Sequence, residues 1–404
     1  MQLTRNPDVG TPRRDFIPED FDPTDKTALE EQVNRLLDMP VEETEDLEVF
    51  LRYWSELGSM IDAAKARRYI AMTCDTVDEE IKKSYLSFER DVVPFYSQLD
   101  DRLDRKYLAS PAREKLSGHY SVFDRGRKTK AELFREENTL LEAEDSELHA
   151  KYLEIQGAIT VEIDGKTLTP QQCGALLEKP DRSLREKSFR KISGRRLEDR
   201  ERIEEIFDEM LQLRHRIAVN AGFDNYRDYR FRALCRFDYE PAQCYEFHDA
   251  VEEIVVPAVR DLTARRITKL GIDSLRPWDR VVSPFGRSPA APFENEKEYI
   301  EKTRTLFQAV DPVFEEDFDI LQRNGLLDLM SRKGKAPGGY MYPIEDMRLP
   351  FIFFNAVGTH SDIQTLLHEG GHAFHTIATR DEPLGDYRSA PMEFCEVASM
   401  AMEL

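Results

Sequence analysis

The chain has 404 residues, 40% hydrophobic and 33% charged, enough apolar material for two or three domains or one large core under a heavily charged surface. Its 57 Lys and Arg against 78 Asp and Glu give a formal net charge of −21, which argues against a phosphate backbone, so no nucleic-acid partner is expected. No apolar run approaches the roughly 20 residues of a membrane span, and PFIFFNAV (350–357) is far too short, so no membrane partner is expected either.

Residues 1–20 carry no apolar leader and read as a mobile N-terminal segment. Three- and four-residue apolar spacing then predicts helices over 25–40, 44–74 and 77–108, within an N-terminal helical region spanning 21–195. That region is interrupted near 159–169, where two short β-prone runs flank Asp164-Gly165, a strong hairpin signal. Thr169 then caps a helix with Pro170 in its first turn. A long helical run is expected from Asp181 to Asn220, ended by Ala221-Gly222. The Tyr- and Arg-rich stretch 221–241 reads as a packed helix–helix joint, and the Pro-rich stretch 274–299 as a long surface loop. The glycines of 332–362 lack the Gly-Lys-Ser/Thr of a phosphate loop and read as a turn or hairpin leading to a strand, Phe351 to Val357. The five cysteines, Cys74, Cys173, Cys235, Cys244 and Cys395, form no CxxC pair and read as reduced thiols in a cytoplasmic protein.

The chemistry concentrates in LLHEGGHAFH (366–375). His368 and His372, four apart on a helix, share one face about 6 Å apart along the axis, a spacing that lets both imidazoles reach one zinc ion. Glu369 is rotated by about 100° from His368 and sits beside the metal, where a general base for metal-bound water belongs. Thr359 or Ser361 can cap this helix. Gly370 and Gly371 each cost about 1 kcal/mol against Ala in a helix. The expectation is that small residues there let another backbone, or the substrate, approach the metal.

A catalytic zinc usually takes three protein ligands. His375 lies about 10 Å along the axis from His368, too far to share the ion, and reads as a residue that supports the ligands from behind or as a packing residue. Glu393, Glu396 and Glu403 fall on one face of a second helical pattern, 389–404, among apolar neighbours. Spacing does not choose between Glu393 and Glu396 as the third ligand.

TLLHEGGHAFH followed by EFCEVASMAMEL resembles the zinc metallopeptidase family of thimet oligopeptidase and oligoendopeptidase F, especially its Pz-peptidase-like bacterial branch. NAGFDNYRDY (220–229) and GKAPGGYMYP (334–343) extend the resemblance, which runs from about residue 110 to the end. It implies a mostly α, two-lobed zincin-like fold with a deep channel, a small β-sheet next to the active-site helix, and a catalytic region over 196–404. It implies one zinc per chain held by His368, His372 and Glu396, the last chosen by its E-x-x-S context with Ser399, and Glu369 as catalytic base. By the same resemblance the substrates are short oligopeptides, which would pair with the strand around Phe353 to Gly358, including Asn355 and Ala356, while Gly339 and Tyr340 line the channel. Members of the family continue past the third ligand with Tyr and His residues that steady the oxyanion. This chain stops at Leu404 inside a helical pattern, so the expectation is a fragment or a site completed by another polypeptide. A non-catalytic peptide- or metal-binding fragment is the alternative reading.

Overall fold

The computed structural model describes residue 10 and residues 12–404. The N-terminal helices are α1 (Lys26–Leu37), α2 (Thr44–Cys74), α3 (Glu79–Ser87), α4 (Val93–Ala109), α5 (Ser121–Leu133) and α6 (Glu136–Gly157). Asp25 caps α1 by accepting from the Thr27 and Ala28 amides. Between α3 and α4 the helix widens into one π turn, Phe88–Val92, just before Pro94. Pro94 has no N–H to give, and its ring excludes the carbonyl four residues back, so the ladder must open there. Leu29, Phe50, Trp54, Phe88, Leu103 and Tyr107 form the core of this bundle.

The mobile segment expected over 1–20 is corrected in its second half. Phe16 and Ile17 are buried, and the Asp15, Phe16 and Ile17 amides donate to the Glu56 carboxylate at 3.0, 3.1 and 2.7 Å. The apolar pair enters the core because one carboxylate on α2 satisfies the backbone groups that enter with it. Residues 1–9 and 11 lie outside the described part.

Strands β1 (Val161–Ile163) and β2 (Lys166–Leu168) form the expected hairpin, with Asp164 and Gly165 both at positive φ, 51° and 77°. Helix α7 (Pro170–Leu176) follows, capped by a Thr169–Gln172 box. The single run expected from 181 to 220 is instead two helices, α8 (Arg182–Glu198) and α9 (Arg200–Asn220). Asp199 breaks them at φ −96°, ψ 6°, its carboxylate held by Arg195 and Arg202. Helices α6 and α9 share an apolar seam through Leu141, Leu148, Met210, Leu213 and Ile217, which joins residues on both sides of position 195. Helix α10 (Tyr226–Ala233) covers that seam with Tyr229. Helices α11 (Pro241–Ala250) and α12 (Val256–Leu270) join through a second π turn, Val251–Val255, again just before a proline, Pro257.

The last third holds α13 (Glu296–Val310), α14 (Pro312–Arg323), strands β3 (Leu327–Met330), β4 (Tyr340–Ile344) and β5 (Leu349–Ala356), then α15 (His360–Ala378) and α16 (Met392–Ala401). The sheet order is β3-β5-β4, with β5 parallel to β3 and antiparallel to β4. All of β5 except Phe354 is buried, which accounts for its nearly continuous apolar sequence, broken only by Asn355. Phe307, Phe318, Phe351, Phe353, Leu366 and Phe374 tie the sheet to α13, α14 and α15 in a second core. The chain is thus mostly helical with a small sheet against the motif helix. Among the described residues, no helix is long and apolar enough to cross a membrane, and all five cysteines are free.

Candidate active site

Helix α15 starts with a capping box between Thr359 and Asp362. Asp362, three residues past the cap, also accepts the Val357, Gly358 and Thr359 amides at 2.8 Å each. One carboxylate thereby fixes the turn from β5 into α15 and stands where the helix dipole favours negative charge. The sequence reading found Thr359 but not this use of Asp362.

On that rigid helix the His368 and His372 rings lie 4.9 Å apart, nearly perpendicular at 85°. Helix α16 packs across them and brings in Glu396. Its Oε2 is 3.4 Å from His368 Nε2, and its Oε1 is 3.6 Å from His372 Nε2. Donor atoms of these three residues all lie within 4.8 Å of one another. Ligand bonds of about 2.0–2.1 Å in a tetrahedron put donors about 3.3 Å apart, close to the two distances observed. Two imidazole nitrogens and a carboxylate oxygen so placed fit a zinc-type ion. Glu393, the other candidate left by spacing, points elsewhere: its carboxylate accepts from Tyr239 and, at 2.6 Å, from Arg236, and the Tyr239 hydroxyl draws its pKa down. His375 is outside the donor group.

Glu369 is only 6% exposed, and its Oε2 has no hydrogen-bond partner. Burial pushes its carboxyl up to about 7; the charge of His368 opposes this and that of Glu396 adds to it. Its remaining partner is the Met341 amide on β4. Burial also holds the His372 imidazole below its ordinary pKa, favouring the neutral form that can donate a lone pair. A half-protonated carboxyl beside a donor cluster can take a proton and give it back near neutral pH.

Both motif glycines sit where a side chain would collide. A Cβ on Gly371 would come within 2.6 Å of Ser399 Cα and 3.1 Å of the Ala398 carbonyl oxygen, both on α16. A Cβ on Gly370 would meet the Phe307 ring at 2.4 Å. Gly371 therefore lets the helix that carries Glu396 approach, and Gly370 seats α15 on α13. Ser399, fully buried at that crossing, donates to Glu396 Oε2 at 3.4 Å and to its carbonyl at 3.0 Å.

The strand expected to pair with a substrate needs correction. Strand β5 is central, with β3 on one edge and β4 on the other, so Phe353 to Ala356 offer no free edge. The Ala356 carbonyl accepts from the Ser331 amide at 3.1 Å. The buried Asn355 amide donates to the Ala336 and Gly338 carbonyls at 2.8 and 2.9 Å and so pins the preceding loop. Val357 and Gly358 give their amides to Asp362. The outer strands are β3 and β4, and β4 is the one beside Glu369. Pro343 faces Pro350, and neither has an N–H, so that pair is not hydrogen-bonded. By alternation, Met341 opposite Ile352 points its backbone groups outward, which is how its amide reaches Glu369. Tyr340 leads into this edge, but its hydroxyl is 2.6 Å from Thr73 Oγ1 and its ring stacks on Phe353 at 4.7 Å. Gly339 is exposed and lies against Phe354, whose ring a Cβ would meet at 2.7 Å.

The sequence reading placed Glu403 on the acidic face without a role. Its Oε1 lies 2.8 Å from His368 Nδ1, the nitrogen turned away from the donor cluster. The seven-residue spacing from Glu396, two turns on the same face, was the available signal.

The chain is similar to known peptidases in sequence and in fold. The model of the peptidase family M3 matches residues 175–404, and that of the peptidase M3 N-terminal domain matches residues 16–122. Oligopeptidase A of Escherichia coli (strain K12) is 25% identical over 305 residues, 60% of this chain and 44% of that protein. Group B oligopeptidase PepB of Streptococcus agalactiae serotype III (strain NEM316) is 23% identical over 230 residues, 57% of this chain and 37% of that protein. The chain thus spans less than half the length of these two relatives. The solved structure of PZ peptidase A with an inhibitor superposes with a TM-score of 0.90 at 26% identity, covering 95% of this chain and 68% of that one. A Bacillus anthracis str. Ames structure described as an oligoendopeptidase F gives 0.90 at 24% identity, covering 95% and 71%. With the family model spanning more than half of its residues and the fold in agreement, the chain belongs to peptidase family M3.

Proposed function

We propose that this chain carries the zinc centre of an oligopeptidase, with His368, His372 and Glu396 holding one ion and Glu369 handling the proton of a hydrolytic water. The chemistry such an ion supplies is Lewis acidity, which polarises a scissile carbonyl and acidifies water. Glu369 takes that water's proton and returns it to the leaving amine, a shuttle suited to a buried carboxylate that keeps one oxygen unpartnered. The outer edge of β4 at the half-buried Met341 lies beside Glu369; with the Met341 amide given to Glu369, the Met341 carbonyl is the group left to accept from an extended peptide, the role that β5 cannot fill. Gly339 precedes that edge and Tyr340 opens it; the missing side chain at 339 lets the Phe354 ring close on the start of β4. Oligopeptide substrates follow from the names of the sequence relatives and from the peptidase family itself. A cytoplasmic location belongs to the same reading.

One observation carries the proposal: three metal-type donors converge beside a buried carboxylate that keeps one oxygen unpartnered. The test pairs elemental analysis with cleavage of a quenched fluorescent peptide library. About one zinc per chain, with cleavage lost and zinc kept in Glu369→Gln, is the expected result. Zinc without cleavage in the parent protein supports metal or peptide binding without turnover, and absence of zinc sinks the metal reading.

A further inference from the structure

We propose that Glu403 is a positioning residue for the metal centre: its carboxylate fixes His368 in the tautomer that turns Nε2 toward the ion. This rests on the zinc reading above and extends it to a residue outside the ligand set.

The two nitrogens of the His368 ring face different carboxylates. His368 Nε2 faces Glu396 at 3.4 Å, whereas Nδ1 faces Glu403 Oε1 at 2.8 Å. A carboxylate only accepts hydrogen bonds, so the Nδ1 contact requires the proton on Nδ1. The neutral ring then keeps its lone pair on Nε2, inside the donor cluster. Without Glu403 the ring is free to exchange tautomers and to turn about its Cβ–Cγ bond.

The same contact acts on the packing of α16. Glu396 lies within α16 and Glu403 just past its last turn, so the two carboxylates hold the two nitrogens of His368 from one element. Between them, Ser399 lies against Gly371 at the helix crossing. His368 is thus gripped from both sides by a segment eight residues long. Charge points the same way. Glu396 and Glu403 together match the two positive charges of a zinc ion, and a carboxylate on the far nitrogen fixes the orientation of the ligating imidazole. The neighbouring Glu393 does none of this, because it is bound to Arg236 and Tyr239.

The experiment measures two quantities in the protein as it stands. The first is the zinc dissociation constant by competition with a chromophoric chelator. The second is the His368 tautomer in the metal-free protein, read from long-range proton–nitrogen NMR correlations with histidine-selective labelling and assigned by His368→Gln. Glu403→Ala is expected to weaken zinc binding roughly 10- to 100-fold and to shift His368 away from the pure Nδ1–H form. Glu403→Gln, whose amide oxygen still accepts from Nδ1–H, is expected to keep the tautomer and lose less affinity. Glu393→Ala is the control and should alter neither readout.

A Glu403→Ala protein with unchanged tautomer and a zinc constant within twofold of the parent overturns the proposal. If Glu403→Ala does not fold, Glu403→Gln decides: tautomer lost in that variant also overturns it, and tautomer kept with weakened zinc supports it. Neither readout needs turnover, so a parent protein that binds zinc yet cleaves no peptide removes the peptidase reading and leaves this one standing. A parent that binds no zinc removes both.

Discussion

Ser399 Cα occupies the space that a side chain on Gly371 would need, 2.6 Å from the position its Cβ would take. The contact is backbone against backbone, so no side chain can swing aside. Gly371→Ala must therefore displace α16, and with it Glu396 and Glu403. The expected outcome is a folded protein whose zinc affinity falls by on the order of tenfold or more, read by chelator competition alongside circular dichroism. Gly194→Ala in α8, where the added methyl meets nothing within 4 Å, is expected to be neutral or stabilising by roughly 0.4–1 kcal/mol.

Gly370 presents the other case, since the obstacle is the end of a side chain. A Cβ there meets Phe307 Cζ at 2.4 Å, and Phe307 is fully buried against Phe318 and Phe374. Gly370→Ala should destabilise by about 1–3 kcal/mol, the usual cost of overpacking. Adding Phe307→Leu should recover part of that loss in urea denaturation. A double variant no more stable than the sum of the two single effects would show that the strain does not lie at this contact.

These two glycines show how far the sequence could be read. Their presence between ligands signalled close approach, but nothing local identified Ser399 or Phe307 as what approaches, because both contacts are tertiary. The ligand helix was legible because its periodicity, caps and histidine spacing all lie within one short segment. Strand β5 was legible as a strand for a similar reason, its short apolar run through Phe354, yet its central place in the sheet was not. That place depends on β3 and β4, which pair with it from opposite sides. Asp199, which splits α8 from α9, looks like an ordinary surface acid until its partners Arg195 and Arg202 are seen. Glu403 was visible as part of a face, but its value depends on a histidine 35 positions earlier.

Asp104 gives a pH prediction away from the metal donors. It is 1% exposed, and neither carboxylate oxygen has a hydrogen-bond partner; the nearest cation, Arg127, stands 3.6 Å away. Neighbouring Asp100 takes the better contacts, with Trp54, Tyr96 and Lys130. Burial therefore wins and pushes the Asp104 carboxyl up to about 7. With the folded value above the unfolded one, folding takes up a proton between about pH 4 and 7, and the protonated form stabilises the fold at the acid end. That contribution is lost as pH rises through 7. Asp104→Asn, which cannot ionise, should match the parent near pH 4 and exceed it by about 1–3 kcal/mol at pH 8. Thermal melts across this range check it, and a gap that widens toward acid would contradict it.

Lys335 is the buried charge on which the approach to β4 depends. Its side chain is wholly buried, with the ammonium 4.5 Å from the centre of the Phe353 ring. It donates to Asp328 Oδ1 at 2.8 Å, to the Asp328 and Met330 carbonyls at 2.9 and 3.2 Å, and to the Phe354 carbonyl. Three donors thus hold the loop before β4, the end of β3 and the middle of β5 together. Burial works to raise the Asp328 carboxyl, but contacts with Arg332 and Lys335 bring it down to about 2. Lys335→Met would leave three carbonyls without this donor and Asp328 with Arg332 as its remaining cation. The expected cost is about 2–4 kcal/mol, slightly under that of breaking an isolated buried pair, because Arg332 stays. Since the loop also sets Met341 against Glu369, zinc and peptide binding should weaken along with stability in that variant. Lys335→Met with Asp328→Asn removes the stranded charge and should recover part of the stability, measured as the urea midpoint, but not the binding. Full recovery of both would mean that Lys335 serves only to neutralise Asp328.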